Sequence, residues 1–343
     1  MPSSAMPQPD RGVTREQLLR RGLAAGVALG TAGVLPATTL AAPARPKAPR
    51  LPTGFARVFT SRMVDIGNLR LHAVIGGGGP PLLLIHGWPQ NWYQWRLVMP
   101  ALARDFTVVA IDQRGIGRSG KPADGYDTAT LANDSVALME ALGHQRFAVV
   151  GFDTGMPIGY ALAADHPDRV ARLAVGEAVI VGVTPSPPLF LPDAQVPRLW
   201  HLLFNRLPDL NEELVRGREE KMFGYVFEAE AGTRLPKYAV KYYIDTIAAD
   251  RNGLRGSFGI YRAFGADIEQ NQQRRARSLS LPVLAIGGAQ ALGASVAGAM
   301  RLVAGDVQSV IIPSCGHWIA EEKPGAVLAA LTPFLAPYKA GGR

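Results

Sequence analysis

The nine residues Phe147 to Gly155, with the sequence FAVVGFDTG, decide the fold of this chain. An apolar run ends at Gly151, and a helical pattern begins directly after Gly155. The pattern is that of a strand, a sharp turn with a small residue two positions to either side of Asp153, and a helix. Such a turn holds a nucleophile at the carboxyl edge of a parallel sheet. An Asp that caps a helix after a glycine turn gives the same short pattern, so the surrounding elements must decide between the two.

Strand and helix patterns alternate on both sides of this turn. The run 81–85 is apolar without alternation, which is typical of a strand buried on both faces of a parallel sheet. The same reasoning predicts a β-hairpin at 61–74, strands at 81–85, 106–111, 146–150, 170–175, 281–286 and 307–312, and helices at 92–103, 129–142, 156–165 and 325–337. This order predicts an α/β fold with a doubly wound, mostly parallel sheet and helices on both faces.

The strand signal disappears between residues 184 and 280. Five prolines fall between 185 and 197, and helical patterns follow them. We therefore expect a helical cap inserted between two strands of the sheet. The predicted organisation is an export signal at 1–44, a first part of the core at 45–183, the cap at 184–280 and a second part of the core at 281–343.

Residues 1–44 resemble an export signal. Arg20-Arg21 precedes a mildly apolar stretch at 22–40, and the small residues at 42–44 suit a signal peptidase. We expect a periplasmic or secreted protein. Both the Tat and the Sec route stay open because Leu19 precedes the arginine pair, where Tat leaders usually carry Ser or Thr. A membrane anchor is the alternative, although the stretch is short and glycine-rich for a span of about 20 residues.

Composition and charge favour an ordinary globular protein. The chain is 48% hydrophobic and 19% charged, which is enough for a large core. Its net charge of +8 is scattered and has no nucleic-acid reader motif, so we expect a solvated basic face and no nucleic-acid partner. The single cysteine, Cys315, cannot form an intramolecular disulfide. We expect no cofactor, no metal ion and no stable membrane association after processing.

An Asp at the centre of the turn changes the chemistry that the turn can perform. A Ser in this position acylates itself from esters and amides, whereas Asp153 would attack a saturated carbon and form an alkyl ester. The predicted reactions are therefore epoxide opening or carbon–halogen cleavage, followed by hydrolysis of the enzyme ester by an activated water.

Ester hydrolysis requires a base, and the base requires an acid that orients it. His317, in the segment SCGHW at 314–318, follows the last predicted strand, where this order of elements places a histidine. The expected place for the acid, residues 287–290, reads GGAQ and contains no carboxylate. Glu177 comes just after the strand at 170–175, and an acid buried there without a partner would be costly. We predict that Glu177 orients His317.

The segment HGWPQ at 86–90 comes directly after the strand at 81–85. Its glycine turn is expected to aim the backbone N–H of Trp88 beside that of Thr154. Two such donors would form an oxyanion hole for the hydrolysis of the ester. His86 is expected to be a structural hydrogen-bonding residue.

These motifs together resemble the epoxide hydrolases of the α/β-hydrolase fold, most closely the secreted bacterial type represented by the cystic fibrosis inhibitory factor. The resemblance runs from about residue 55 to residue 335. It implies an α/β-hydrolase fold with an inserted helical cap, and an enzyme that acts on a small-molecule epoxide and water. The segments that carry it are HGWPQ at 86–90, WYQW at 92–95, the turn at Asp153, Glu177-Ala178, LWH at 199–201, YRA at 261–263 and CGHW at 315–318.

In the secreted bacterial type one His and one Tyr of the cap hold and protonate the epoxide oxygen, whereas other epoxide hydrolases use two tyrosines. The matching positions are His201 and Tyr261, so the resemblance implies this role for them. A phenol or an imidazolium can supply the proton that the oxygen needs as the ring opens. Composition alone favours core positions for both side chains. The resemblance also allows a homodimer, for which the residues themselves give no signal.

Departures from the family pattern bear on the competing functions. Phe152 replaces a His that many relatives carry, which is expected to change only the packing behind the turn. Thr154 and Leu202 stand where dehalogenases carry halide-binding tryptophans, so both disfavour a haloalkane or haloacid dehalogenase of the same fold. A non-enzymatic binding protein on this scaffold is the alternative from another class.

Overall fold

The computed structural model describes residues 46–188 and 190–341. The predicted export signal at 1–44 lies outside the described residues. No helix in the described ranges is long and apolar enough to cross a membrane.

In chain order the strands are β1 (Phe59–Asp65), β2 (Arg70–Gly77), β3 (Pro81–Ile85), β4 (Thr107–Ile111), β5 (Phe147–Phe152), β6 (Val170–Gly176), β7 (Val283–Gly288) and β8 (Val307–Ile312). Within the described residues they form one eight-stranded sheet in the order β1-β2-β4-β3-β5-β6-β7-β8. β2 pairs antiparallel with β1 and with β4, and the other neighbours pair in parallel. The predicted hairpin and the mostly parallel sheet are confirmed.

The helices fall into a core set and an inserted set. The core set is α1 (Phe55–Val58), α2 (Met99–Leu102), α3 (Thr128–Ala141), α4 (Gly155–Asp165), α11 (Ala294–Arg301), α12 (Ile319–Glu322) and α13 (Pro324–Gly341). The inserted set is α5 (Val196–Phe204), α6 (Leu210–Val215), α7 (Glu219–Glu230), α8 (Lys237–Ala248), α9 (Gly253–Arg262) and α10 (Phe264–Arg274), which all lie between β6 and β7.

The central strands form the core because they are apolar on both faces. β5 and β7 are buried along their whole length, and β3 is buried except at Pro81. Helix α4 packs on β5 and β6, and α11 packs on β7 and β8. Unalternating apolar strands of this kind need cover on both sides, which the crossover helices supply.

The prediction of one helix at 92–103 is wrong. The segment forms a short 3₁₀ turn at Trp92–Trp95 and then the separate helix α2. Pro100 lies in the first turn of α2 and lacks the backbone N–H that a continuous helix would need there. The Asn91 side chain accepts from Tyr93 N and so caps the 3₁₀ turn.

Two indole side chains connect the inserted helices to the loops that follow sheet strands. Trp88, in the loop after β3, donates from Nε1 to Ser257 Oγ of α9 at 2.8 Å. Trp318, in the loop after β8, donates from Nε1 to the carbonyl of Phe227 in α7 at 3.0 Å. Both indoles are buried. The inserted helices therefore lie against the carboxyl ends of the strands, where the candidate residues also lie.

Candidate active site

Asp153 occupies a strained turn between β5 and α4. Its φ of 51° lies in the left-handed region, which a residue other than Gly, Asn or Asp rarely adopts. A Cβ at Gly151 would lie 2.1 Å from the carbonyl oxygen of Gly155, and one at Gly155 would lie 2.2 Å from that of Ile85. The small residues on both sides of Asp153 are therefore a steric requirement of the turn.

The structure brings Asp153, His317 and Glu177 together in one chain of hydrogen bonds. His317 Nε2 lies 3.0 Å from Asp153 Oδ2, and Nδ1 lies 3.1 Å from Glu177 Oε2. The second oxygen of Glu177 accepts from Gly288 N at 2.6 Å. Gly288 is the last residue of β7 and belongs to the segment 287–290, which contains no acid. Its backbone N–H instead holds the carboxylate of Glu177, which follows β6.

The two predicted oxyanion donors converge on one oxygen of the nucleophile. Trp88 N donates to Asp153 Oδ1 at 2.7 Å, and Thr154 N donates to the same oxygen at 2.5 Å. Oδ1 is thus held, whereas Oδ2 faces His317. An attack through Oδ2 would leave Oδ1 as the ester carbonyl, already placed between the two donors.

His201 and Tyr261 both pack against the Trp88 ring and against each other. The ring centroid of Trp88 is 5.1 Å from that of His201 and 5.1 Å from that of Tyr261, and the two cap rings are 5.9 Å apart. Both cap side chains are buried. The structure therefore brings the cap pair next to the loop that carries the Trp88 donor.

Burial keeps the two cap side chains neutral. It lowers the pKa of His201 to about 4, against the opposing charge of Asp153. It raises the pKa of Tyr261 well above its ordinary value, and Asp153 and Glu230 add to that rise. An imidazolium at His201 is therefore disfavoured in the resting enzyme, and a neutral imidazole and a phenol are the available donors.

Glu230 is the site residue that we did not predict from the sequence. It is the last residue of α7 and is only 8% exposed. Its Oε2 lies 3.5 Å from His317 Nε2, and its Oε1 lies 3.5 Å from His201 Nδ1. A signal was present in the sequence: Glu230 continues the spacing of the buried apolar residues of α7, which are Met222, Phe223, Val226 and Phe227.

Three carboxylates surround one imidazole. Burial lowers the pKa of His317, but Glu230, Asp153 and Glu177 outweigh it and raise that pKa well above its ordinary range. Burial raises the pKa of Glu230 to about 7, against the attraction of His317. The cluster of Glu230 and His317 therefore tends to retain a proton near neutral pH. The carboxylates around His317 disfavour the binding of an anionic substrate.

Close backbone packing fixes His317 against α7. Its backbone N–H donates to the carbonyl of Glu230 at 3.0 Å. A Cβ at Gly316 would lie 2.0 Å from Gly232 N, so the glycine before His317 is needed for this approach. Glu322 joins the two segments, because it accepts from Gly316 N at 2.9 Å and from Thr233 N at 2.7 Å.

Two further sequence expectations concern packing. His86 Nε2 accepts from the backbone N–H of Gln113 at 3.1 Å, and Nδ1 lies 2.8 Å from the carbonyl of Gly87. His86 is thus occupied by backbone groups, as expected for a structural residue. Phe152 packs behind the turn with its ring centroid 4.8 Å from that of Trp95.

Comparison with known proteins identifies the family of this chain. A family model described as alpha/beta hydrolase fold matches residues 80–324. The chain belongs to the α/β-hydrolase family. The predicted fold and the prediction of a hydrolase enzyme are confirmed, so a purely non-enzymatic binding protein is set aside.

Several members of the α/β-hydrolase family resemble this chain over most of its length. The soluble epoxide hydrolase of Corynebacterium sp. (strain C12) is 32% identical, over 82% of this chain and 99% of that protein. The fluoroacetate dehalogenase of Burkholderia sp is also 32% identical, over 82% and 96%. The solved structure of Cfl2 from Burkholderia cenocepacia has a TM-score of 0.78 and 35% identity, over 81% and 96%. The predicted resemblance to epoxide hydrolases, including the cystic fibrosis inhibitory factor type, is confirmed.

Proposed function

We propose that this protein is an epoxide hydrolase that opens its substrate through an ester on Asp153. The arrangement of the Asp153 carboxylate carries the proposal: two backbone donors hold Oδ1, and Oδ2 faces His317 at 3.0 Å. An oriented carboxylate suits attack on a saturated carbon. The epoxide hydrolase relatives support the same substrate class.

In the first step Asp153 Oδ2 attacks an epoxide carbon and the carbon–oxygen bond of the ring breaks. The departing oxygen needs a proton, because an alkoxide is a poor leaving group in an apolar site. The N–H of His201 and the O–H of Tyr261 are the nearby neutral donors. The product of this step is a hydroxyalkyl ester on Asp153.

In the second step His317 activates a water that attacks the ester. Esterification removes the negative charge of Asp153, which is one of the causes of the raised pKa of His317. The imidazole then loses a proton more readily and becomes available as a base. The negative charge that develops on Oδ1 is stabilised by the N–H groups of Trp88 and Thr154, and the ester breaks to release a diol.

The His317→Gln variant is expected to stop the reaction at the ester. Glutamine can hydrogen-bond but cannot accept the proton of the water, so ester hydrolysis should slow by about 10³-fold or more. After incubation with epoxides such as styrene oxide and epibromohydrin, mass spectrometry should find the epoxide mass added to the Asp153 peptide.

Two comparisons make this trapping experiment decisive. The Asp153→Asn/His317→Gln double variant should carry no adduct, and the wild-type enzyme should release diol without accumulating one. If His317→Gln carries the adduct on another peptide, or carries none while the wild-type enzyme forms diol, the Asp153 ester is excluded.

A haloacid or haloalkane dehalogenase is the second candidate, because the fluoroacetate dehalogenase relative is 32% identical. A haloacetate would bring a fourth carboxylate to a site that already contains Asp153, Glu177 and Glu230. The indole N–H of Trp88 is occupied by Ser257, and Thr154 offers no ring N–H to a halide. These features favour a neutral epoxide.

Halide release separates the two candidates. We expect the wild-type enzyme to release halide from fluoroacetate, chloroacetate and 1-bromobutane at least about 100-fold more slowly than it forms diol from its best epoxide. For the haloacetates the reason is that juxtaposed like charges cost several kcal/mol. For the uncharged 1-bromobutane the reason is that the Trp88 indole N–H is already bonded to Ser257 and is not available to the departing halide. Ion chromatography measures the halide. Release from a haloacetate that outpaces diol formation from every epoxide tested would replace the proposal by the dehalogenase.

A further inference from the structure

The Glu230 carboxylate lies between the two histidines of the site. One oxygen is 3.5 Å from His201 Nδ1 and the other is 3.5 Å from His317 Nε2. In the proposed function these rings serve different half-reactions, since His201 assists ring opening and His317 drives ester hydrolysis. Contacts of this length can shorten when substrate binds. Glu230 is thus within reach of both proton-transferring rings.

Within residues 46–188 and 190–341, the carboxylate that lies close to His201 Nδ1 is that of Glu230. This nitrogen is buried and makes no hydrogen bond, although the carbonyl of Arg198 also faces the ring. A protonated Glu230 can donate to Nδ1, which places the single proton of the neutral imidazole on Nε2. The pair has the same total number of protons when Glu230 is ionised and the His201 ring is doubly protonated. In both arrangements Nε2 carries a hydrogen that it can donate.

The surroundings of Glu230 favour its protonated form. Burial is the largest cause of its raised pKa, and the charges of Asp153 and Glu177 add to it. The position at the C-terminus of α7 acts in the same direction, because that end of a helix disfavours a negative charge. The titratable and charged groups that face Glu230 are Asp153, Glu177, Arg198, His201, Tyr261 and His317.

We propose that Glu230 stores the proton that is used to open the epoxide and recovers a proton after the ester is hydrolysed. The proposal rests on the epoxide hydrolase function proposed above. Glu230 reaches the substrate only through His201 and His317, so it is a positioning residue and not a catalytic one. Its carboxylate links the two half-reactions in one proton cycle.

The protons balance over this cycle. During ring opening the epoxide oxygen takes the hydrogen of His201 Nε2, while Nδ1 takes the proton of Glu230. During ester hydrolysis His317 takes a proton from water and returns it to the departing alkoxide of the diol. The bond that breaks joins Cγ of Asp153 to the oxygen that carries the alkyl group, and Asp153 is left as a carboxylic acid. That acid proton passes through His317 Nε2 to Glu230. The His317 imidazolium gives one proton to solvent before it acts as a base and takes one back at the end of the cycle. Exchange with solvent also restores the His201 tautomer.

Glu230→Gln tests the proposal because glutamine can still donate a hydrogen bond to His201 Nδ1 but cannot release a proton. We expect the rate of Asp153 alkylation, measured by rapid quenching and mass spectrometry, to fall by about 10- to 100-fold, since Tyr261 remains as a donor. The KM for the epoxide should change little. The substrate is the epoxide that the wild-type enzyme hydrolyses fastest.

The pH profile of alkylation distinguishes proton storage from simple support of the fold. A carboxyl that must be protonated is active below its pKa, so the wild-type rate should fall as the pH rises through about 7. The pH at which the alkylation rate decreases reports the titration of Glu230 and His317 together, because the two groups interact. Glu230→Gln should lose this decrease, and Glu230→Asp, which keeps a carboxyl, should retain it at a lower rate.

Glu228→Gln is the matched control. Glu228 lies two residues earlier on α7, its side chain is 64% exposed, and it pairs with Arg234 at the surface. This variant should match the wild-type enzyme in rate and in pH profile. A Glu230→Gln enzyme with an unchanged alkylation rate and profile would overturn the proposal, as would a wild-type rate that is constant from about pH 6 to pH 9. A wild-type protein that forms no diol from any epoxide would instead refute the proposed function.

Discussion

The Asp153→Asn variant is expected to form diol at least about 10⁴-fold more slowly than the wild-type enzyme. Loss of a covalent nucleophile removes the whole reaction path and leaves only the contribution of binding and the oxyanion donors. The amide of Asn has the shape of the carboxylate, but its nitrogen is a very weak nucleophile towards an epoxide carbon. Diol formation from styrene oxide or epibromohydrin, followed by chromatography, measures the effect.

The Asp153→Asn protein should remain folded, which makes its loss of activity interpretable. Asn is among the few residues that tolerate the left-handed conformation found at position 153. Its side-chain oxygen can still accept from the N–H groups of Trp88 and Thr154. The control is Asp168→Asn, in the exposed loop between α4 and β6, which should keep full activity. Diol formation by Asp153→Asn or Asp153→Ser at the wild-type rate would exclude Asp153 as the nucleophile.

The Glu321→Ala variant is expected to lower the free energy of unfolding by about 3–5 kcal/mol, because it leaves the buried guanidinium of Arg96 without its anionic partner. Glu321 accepts from both terminal nitrogens of Arg96, at 2.5 and 2.7 Å, and from the hydroxyl of Tyr243 at 2.5 Å. The side chains of Arg96 and Glu321 are 0% and 1% exposed. Urea denaturation followed by circular dichroism gives the free energy.

A double variant tests whether the unpaired charge causes this loss. Arg96→Met/Glu321→Leu replaces the ion pair by apolar side chains and should be more stable than Glu321→Ala, because no buried cation remains. If the double variant is as unstable as Glu321→Ala or less stable, lost packing rather than the uncompensated guanidinium is responsible. Tyr243 belongs to α8, so the same contacts also connect the inserted helices to the core.

Strand positions were the easiest part of the fold to predict from the sequence. β3 and β8 have the predicted bounds, and β5 is the strand expected before Asp153. Short apolar runs without alternation carry a strong signal because a parallel sheet is buried on both faces. The helix predicted at 92–103 was wrong because its apolar pattern continues across Pro100, and the break depends on one missing N–H.

The members of the candidate site were predicted to different degrees. Asp153 directly follows β5, and His317 lies in the loop after β8, so the chain order and the edge of the sheet define where they lie. Glu177 could be inferred because a buried acid at a strand end needs a partner. Glu230 could not be assigned in this way, because a helix periodicity shows that a residue is buried but does not identify what it faces.

The sequence by itself determined the kind of sheet, the position of the nucleophile at Asp153 and the class of reaction that a carboxylate there can perform. These follow from local rules: apolar runs form strands, and glycines permit a strained turn. Only the tertiary structure decided that Glu230 lies 3.5 Å from both His201 and His317. That arrangement depends on the approach of α7 to the loop after β8, through the contact of Gly316 with Gly232. Distances between segments that are far apart in the chain, and the pKa shifts that follow from burial, arise only when those segments pack.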